Sequence, residues 1–99
     1  MNKYSIKLED FLVEQLQDSE MAKEFLNVSL ESYLKDNDFN EFLRSLEFVI
    51  KARQSLASFA RETKLSRANL YAIFRSKKKP QFETVLKILS QLGYNLKVA

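Results

Sequence analysis

The sequence contains no cysteine, no histidine and no tryptophan, one glycine (Gly93) and one proline (Pro80). Without cysteine there is no disulfide framework, no thiolate chemistry and no cysteine-based zinc or iron–sulfur site. Without histidine the commonest general base and the commonest zinc ligand are missing together. One glycine leaves no material for a Gly-rich phosphate cradle. The paired carboxylates Glu9/Asp10 and Asp36/Asp38 fall in exposed, cap-like contexts. Catalysis therefore has little to build on, and neither an enzyme nor a bound cofactor or metal is expected. Scarce Gly and Pro also leave few turns of special geometry, which predicts an all-α fold. No apolar run approaches 18–20 residues, so a membrane-spanning helix is not expected. The opening MNKYSIKLEDFLVEQ has no apolar stretch before its acidic residues, and a cytoplasmic protein is expected.

What is present is charge, unevenly placed. The 99 residues sum to +3. Residues 1–50 hold 5 Lys/Arg and 11 Asp/Glu, a net of −6, whereas residues 51–99 hold 11 and 2, a net of +9. A basic half points to a polyanion partner. The acidic half either forms a plain solvated face or meets a cationic protein, and its charge also repels DNA. At this length one domain is expected, with 45% hydrophobic residues to form a modest core.

Periodicity divides the chain into helices. Residues 9–17 form a short first helix with Phe11, Leu12 and Leu16 inward. Asp18 caps a second helix that runs to Lys35. Its apolar positions are Met21, Phe25, Val28 and Tyr33, with a second stripe at Leu26, Leu30 and Leu34, two stripes that fit burial within the chain and contact with a partner alike. Asp38, with Glu41 three residues on, makes a capping box for a third helix ending near Arg53. That helix shows a clean apolar face of Phe39, Phe42, Leu43, Leu46, Val49 and Ile50. A fourth helix starts near Ser55 and stops near Thr63. A fifth spans 67–75, and SKKKPQ follows as a basic loop. A sixth spans 81–92 with Phe82, Val85, Leu86 and Leu89 inward, closed by Gly93 in the left-handed conformation. The tail alternates Tyr94, Leu96 and Val98, which reads as a short strand pairing with its copy in a dimer.

The segment SLASFARETKLSRANLYAIFR carries the sharpest signal. Leu56, Phe59 and Ala60 pack a short helix, and small Ala60 admits a second helix closely. Leu65 plugs the turn, Ser66 caps the next helix, and Leu70 and Ile73 hold it down. This is helix-turn-helix spacing. The turn position after Thr63 favours Gly but holds Lys64, at a cost of about 1 kcal/mol if the left-handed geometry is kept. With Leu70 and Ile73 buried, Arg67, Ala68, Tyr71, Ala72 and Arg75 face outward. Arg67 can read guanine with a bidentate pair, and Tyr71 can meet a phosphate or a thymine methyl. Asn69 sits nearer the rim. Lys77, Lys78 and Lys79 are placed to straddle phosphates. Gln54, Ser55 and Ser58 are further phosphate candidates at the start of the fourth helix. The blander alternative is two ordinary helices in a small bundle with solvated cations.

The stretch LSRANLYAIFRSKKKPQFETVLKILSQLG resembles the C-terminal half of the probable addiction-module antidote family. These are small HigA-related antitoxins with a Cro/C1-type (lambda repressor-like) helix-turn-helix. The matching pieces are Leu65-Ser66-Arg67, Leu70-Tyr71, Pro80, Phe82-Glu83-Thr84, and Leu86-Lys87 through Leu92-Gly93. The Phe25-Leu26-Asn27 segment and the Phe42–Arg53 helix resemble the family's leading region, so the likeness runs from about residue 8 to 98. The chain departs from the pattern at Lys64 and Gln54, where the family often has Gly, and at Lys77–Lys79, where Gly or Asn usually precedes the proline.

The resemblance implies a type II antitoxin with two roles. It would neutralise a small basic toxin of the RelE/ParE superfamily (HigB-like). It would also repress its own operon as a homodimer on an inverted repeat of double-stranded DNA. The expected architecture is a bundle of five to six helices with a C-terminal strand. Residues 1–53 would form an acidic, toxin-binding part and residues 54–99 a DNA-binding part, within one compact domain. Two other readings remain: a stand-alone or phage-type repressor without a toxin, and a protein- or RNA-binding module.

Overall fold

The computed structural model describes the backbone of residues 3–95 and the side chains of Leu8 and residues 10–95. The described residues form six α-helices: α1 (Lys3–Gln15), α2 (Ser19–Asp36), α3 (Phe39–Arg53), α4 (Leu56–Thr63), α5 (Arg67–Phe74) and α6 (Phe82–Gln91). They fall into two compact units, 1–54 and 55–99. Among the described residues no helix is long and apolar enough to cross a membrane.

In the first unit, α1 and α2 both pack on α3. The α3 face is the one its periodicity predicts: Phe42, Leu43, Leu46, Val49 and Ile50 are all buried, and Phe39 half-buried. Both predicted caps form. Asp18 accepts from the amides of Glu20 and Met21, and Asp38 from that of Glu41. The capping box is not closed as expected, however, because the Asp38 amide donates to Asp36 Oδ1 at 2.9 Å. The ring of Tyr33 lies 5.5 Å from that of Phe39 and 6.2 Å from that of Phe42, joining α2 to the start of α3. Ser29 donates to Ser45 Oγ at 2.8 Å, and Ser45 to the Glu41 carbonyl.

The two apolar stripes expected on α2, which fit burial or contact with a partner alike, are each divided between inward and exposed positions. Ala22 and Leu26 are buried, whereas Met21 and Val28 are 47% and 59% exposed. The packing row is Ala22, Leu26, Ser29 and Tyr33. Leu26 and Tyr33 belong to two different apolar stripes and Ala22 and Ser29 to neither, so no single apolar stripe marks this row, although small Ala22 permits close approach to a neighbour. Phe11, expected inward, is exposed, and so is Leu34 of the second stripe.

In the second unit α4 packs on both α5 and α6. Leu56, Phe59, Ala60, Leu70 and Ile73 are buried as the motif requires, and Leu65 is half-buried. Val85, Ile88, Leu89 and Leu92 supply the buried face of α6. Phe82, expected inward, is exposed. It is the first residue of α6, where the Cβ tilt throws a side chain back past the helix end.

The C-terminal strand expected over 94–98 requires correction, because the described residues contain no β-strand. Gly93 takes φ +93°, its amide donates to the Ser90 carbonyl, and the Tyr94 amide to the Leu89 carbonyl at 2.9 Å. That pair of bonds is a Schellman closure of α6. The Tyr94 amide is thereby committed to a helix end, not to a ladder. Leu96 and Val98, the other residues expected at a dimer contact, lie outside the described residues.

Candidate nucleic-acid interface

The α4–turn–α5 segment is built almost entirely from local bonds. Ser55 caps α4, its Oγ accepting from the Ser58 amide at 3.1 Å. Thr63 closes α4 from inside: its buried hydroxyl donates to the Phe59 carbonyl at 2.9 Å and accepts from the Leu65 amide at 3.3 Å. Lys64 then takes φ +62°, the left-handed turn, without a glycine. Ser66 caps α5 by accepting from the Asn69 amide at 2.9 Å. α5 is closed by Ser76 at φ +60°, with the Lys77 amide returning to the Ala72 carbonyl at 2.9 Å. That second Schellman closure turns the chain sharply and starts the lysine loop beside the helix it follows.

With Leu70, Ile73 and Phe74 buried, the opposite side of α5 presents Ala68 and Ala72, with Arg67 and Arg75 exposed and Tyr71 half-buried. Both guanidinium groups lie 5.4 Å from the centre of the Tyr71 ring, one from the preceding turn and one from the following. Each contact contributes about 0.5–1 kcal/mol at an exposed site. The same ring therefore restrains two arginines. Lys78 Nζ donates to Asn69 Oδ1 at 2.7 Å, which ties the basic loop back to the first turn of α5. Lysine carries no acceptor, so the Asn69 carbonyl must face it, leaving that side chain's N–H groups free to donate elsewhere. Lys77, Lys78 and Lys79 are all exposed, and no carboxylate pairs with Arg67, Arg75 or these lysines among the described residues.

The structure thus gathers Arg67, Ala68, Tyr71 and Arg75 on one face, with the Lys77–Lys79 loop adjoining. Ser55 and Ser66 have an acceptor lone pair committed to capping, and each keeps its O–H for a further partner. Gln54 belongs to the first unit: it ends α3 in extended conformation, its amide donating to the Ile50 carbonyl. Sequence reading missed Thr63, Ser76 and the Asn69–Lys78 bond. A threonine placed to bond the carbonyl four residues back could have flagged Thr63. Nothing in the sequence marks Ser76 as left-handed. Of the two acidic pairs, Asp36 and Asp38 behave as expected of caps, both accepting backbone N–H groups, whereas Glu9 and Asp10 lie inside α1. Among the described residues no group of acidic side chains is arranged to hold a metal.

The family described as probable addiction module antidote protein matches residues 7–99. The chain belongs to that family. No curated protein and no solved structure matches it. As an addiction-module antidote the chain acts as an antitoxin, and the partner that such a role implies is a toxin. The role is one of binding, and the antidote is not an enzyme.

Proposed function

We propose that this antidote neutralises a small basic toxin of the RelE/ParE superfamily and represses its own operon, with α4 and α5 acting as a Cro/C1-type helix-turn-helix. The observation that carries the DNA reading is the α5 surface. Two small residues, Ala68 and Ala72, lie between restrained arginines and an adjoining lysine loop, and α5 itself carries no acidic residue. A slim helix of this kind enters a major groove about 12 Å wide, where Arg67 reads a guanine edge. Arg75 and Lys77–Lys79 bind phosphates and set the register. Ser55, Ser58, Ser66 and Gln54 are secondary phosphate contacts in this scheme. A homodimer would present two such helices to an inverted repeat, about 34–36 Å apart. The acidic part, residues 1–53, is the side that meets the toxin.

The test is to co-express the chain with the product of the adjacent gene, then measure complex formation, relief of toxicity and binding to the operon's promoter. Promoter binding without a toxin complex would make it a stand-alone repressor. A toxin complex without DNA binding would leave only the antidote role. Binding to RNA in preference to promoter DNA would favour the interaction-module reading.

A further inference from the structure

The large apolar side chains left exposed are concentrated in the acidic unit. Among the described residues Leu8, Phe11, Met21, Val28 and Leu34 lie there, and Phe82 alone lies in the basic unit. On α2 the pattern is regular. Ala22, Leu26, Ser29 and Tyr33 form the row that packs inward. One residue earlier in each turn, Met21, Phe25, Val28 and Ser32 form a parallel row that is exposed or half-exposed. One earlier again, Glu20, Glu24, Asn27 and Glu31 form an exposed acidic row. An apolar strip about 10 Å long therefore runs between the helix's seam and a line of three carboxylates.

We propose that this strip of α2 is where the toxin docks, and that the toxin meets it with an apolar ridge edged by Lys or Arg. The proposal rests on the toxin-binding reading above and adds which face of which helix is used. Charge decides between occupants. A second copy of the chain using the same face would gather six carboxylates around one contact, which is costly. A cationic rim would pair with them and speed encounter. Apolar centre with charged edge is the ordinary anatomy of a specific interface.

The experiment uses the full-length chain and the purified product of the adjacent toxin gene, with affinity measured at two salt concentrations. Val28→Lys should weaken binding at least 10-fold, since it buries a charge within the strip. The exposed pair Glu24→Lys/Glu31→Lys should also weaken binding and flatten its salt dependence. Thermal unfolding should stay at the wild-type value in both, and Val28→Ser provides a milder variant should Val28→Lys fold poorly. If wild type binds the toxin and all three variants bind within twofold of it, the α2 assignment is overturned and toxin binding stands. If wild type does not bind, the toxin reading falls and takes this proposal with it. If Val28→Lys disrupts self-association and leaves toxin affinity unchanged, the occupant is a second copy and the proposal is wrong.

Discussion

Lys64 offers a direct test of the turn geometry. It sits at φ +62° between Thr63 and Leu65, and no ion pair or side-chain hydrogen bond holds it there among the described residues. A side chain in the left-handed region costs about 1–2 kcal/mol. Lys64→Gly removes that strain. Two smaller terms oppose it. Glycine makes the unfolded chain more flexible, which costs about 0.4–1 kcal/mol. The lysine charge also sits at the C-terminal end of α4, where a cation contributes about 0.3 kcal/mol or a little more. The net expectation is a stabilisation of about 0.5 kcal/mol. Lys64→Ala is the necessary companion, since it removes the charge and keeps the strain. It should be neutral or slightly destabilising. The quantity to read is the Gly-over-Ala difference in urea or thermal unfolding, expected at about 1 kcal/mol, or about 4–8 °C for a cooperative unit of 60–100 residues. Equal stability of the two variants would mean that the turn does not hold Lys64 left-handed, and the α4–α5 geometry would have to be redrawn.

Four further outcomes are expected. Thr63→Val should destabilise the fold by about 1–3 kcal/mol, because it keeps the shape but leaves the Leu65 amide without its acceptor; chemical denaturation reads this. Ser66→Ala should cost about 1 kcal/mol through loss of the α5 cap, and an unchanged unfolding midpoint would contradict the capping geometry. For DNA, Arg67→Ala should weaken promoter binding by about 1–3 kcal/mol and relax choice at one base pair. Lys79→Ala should instead weaken binding to all DNA alike and lower the salt slope by about 1. Identical behaviour of the two in a salt-titrated binding assay would refute the division between reading and anchoring.

Features set by a few neighbouring residues could be read from sequence. Asp18, Asp38, Ser55 and Ser66 each place an oxygen two or three residues before an orphan amide, so helix starts are written locally. The α3 face and the packing residues Leu56, Phe59, Leu70 and Ile73 follow from one period of strong hydrophobes. What could not be read depends on a partner helix. The Ala22–Leu26–Ser29–Tyr33 row is inward because α3 lies against it, while the more apolar Met21–Val28 row is turned outward. Phe82 is apolar and in phase, yet lies at a helix end. The end of the chain misled in another way: alternation at Tyr94, Leu96 and Val98 suggests a strand, but Gly93 draws Tyr94 into closing α6. In the candidate interface the residue types on the face were legible and their mutual restraint was not. Whether Tyr71 meets two guanidinium groups, or Lys78 meets Asn69 nine residues away, is fixed by side-chain rotamers and by the Ser76 turn.

The Ser29–Ser45 bond has a consequence for how α2 is held. A helix seated on a neighbour by greasy contacts alone can roll about its own axis, because one apolar ridge substitutes for the next at little cost. α2 is especially open to such a roll, since the row beside its seam is the more oily of the two. A directional hydroxyl-to-hydroxyl bond of 2.8 Å, with Ser45 anchored in turn to the Glu41 carbonyl, exists in one rotational setting only. Two small polar side chains thus act as an alignment pin for the helix, and one hydroxyl removed at either position would leave its phase to the Ala22 and Leu26 packing and the Tyr33 ring contacts alone.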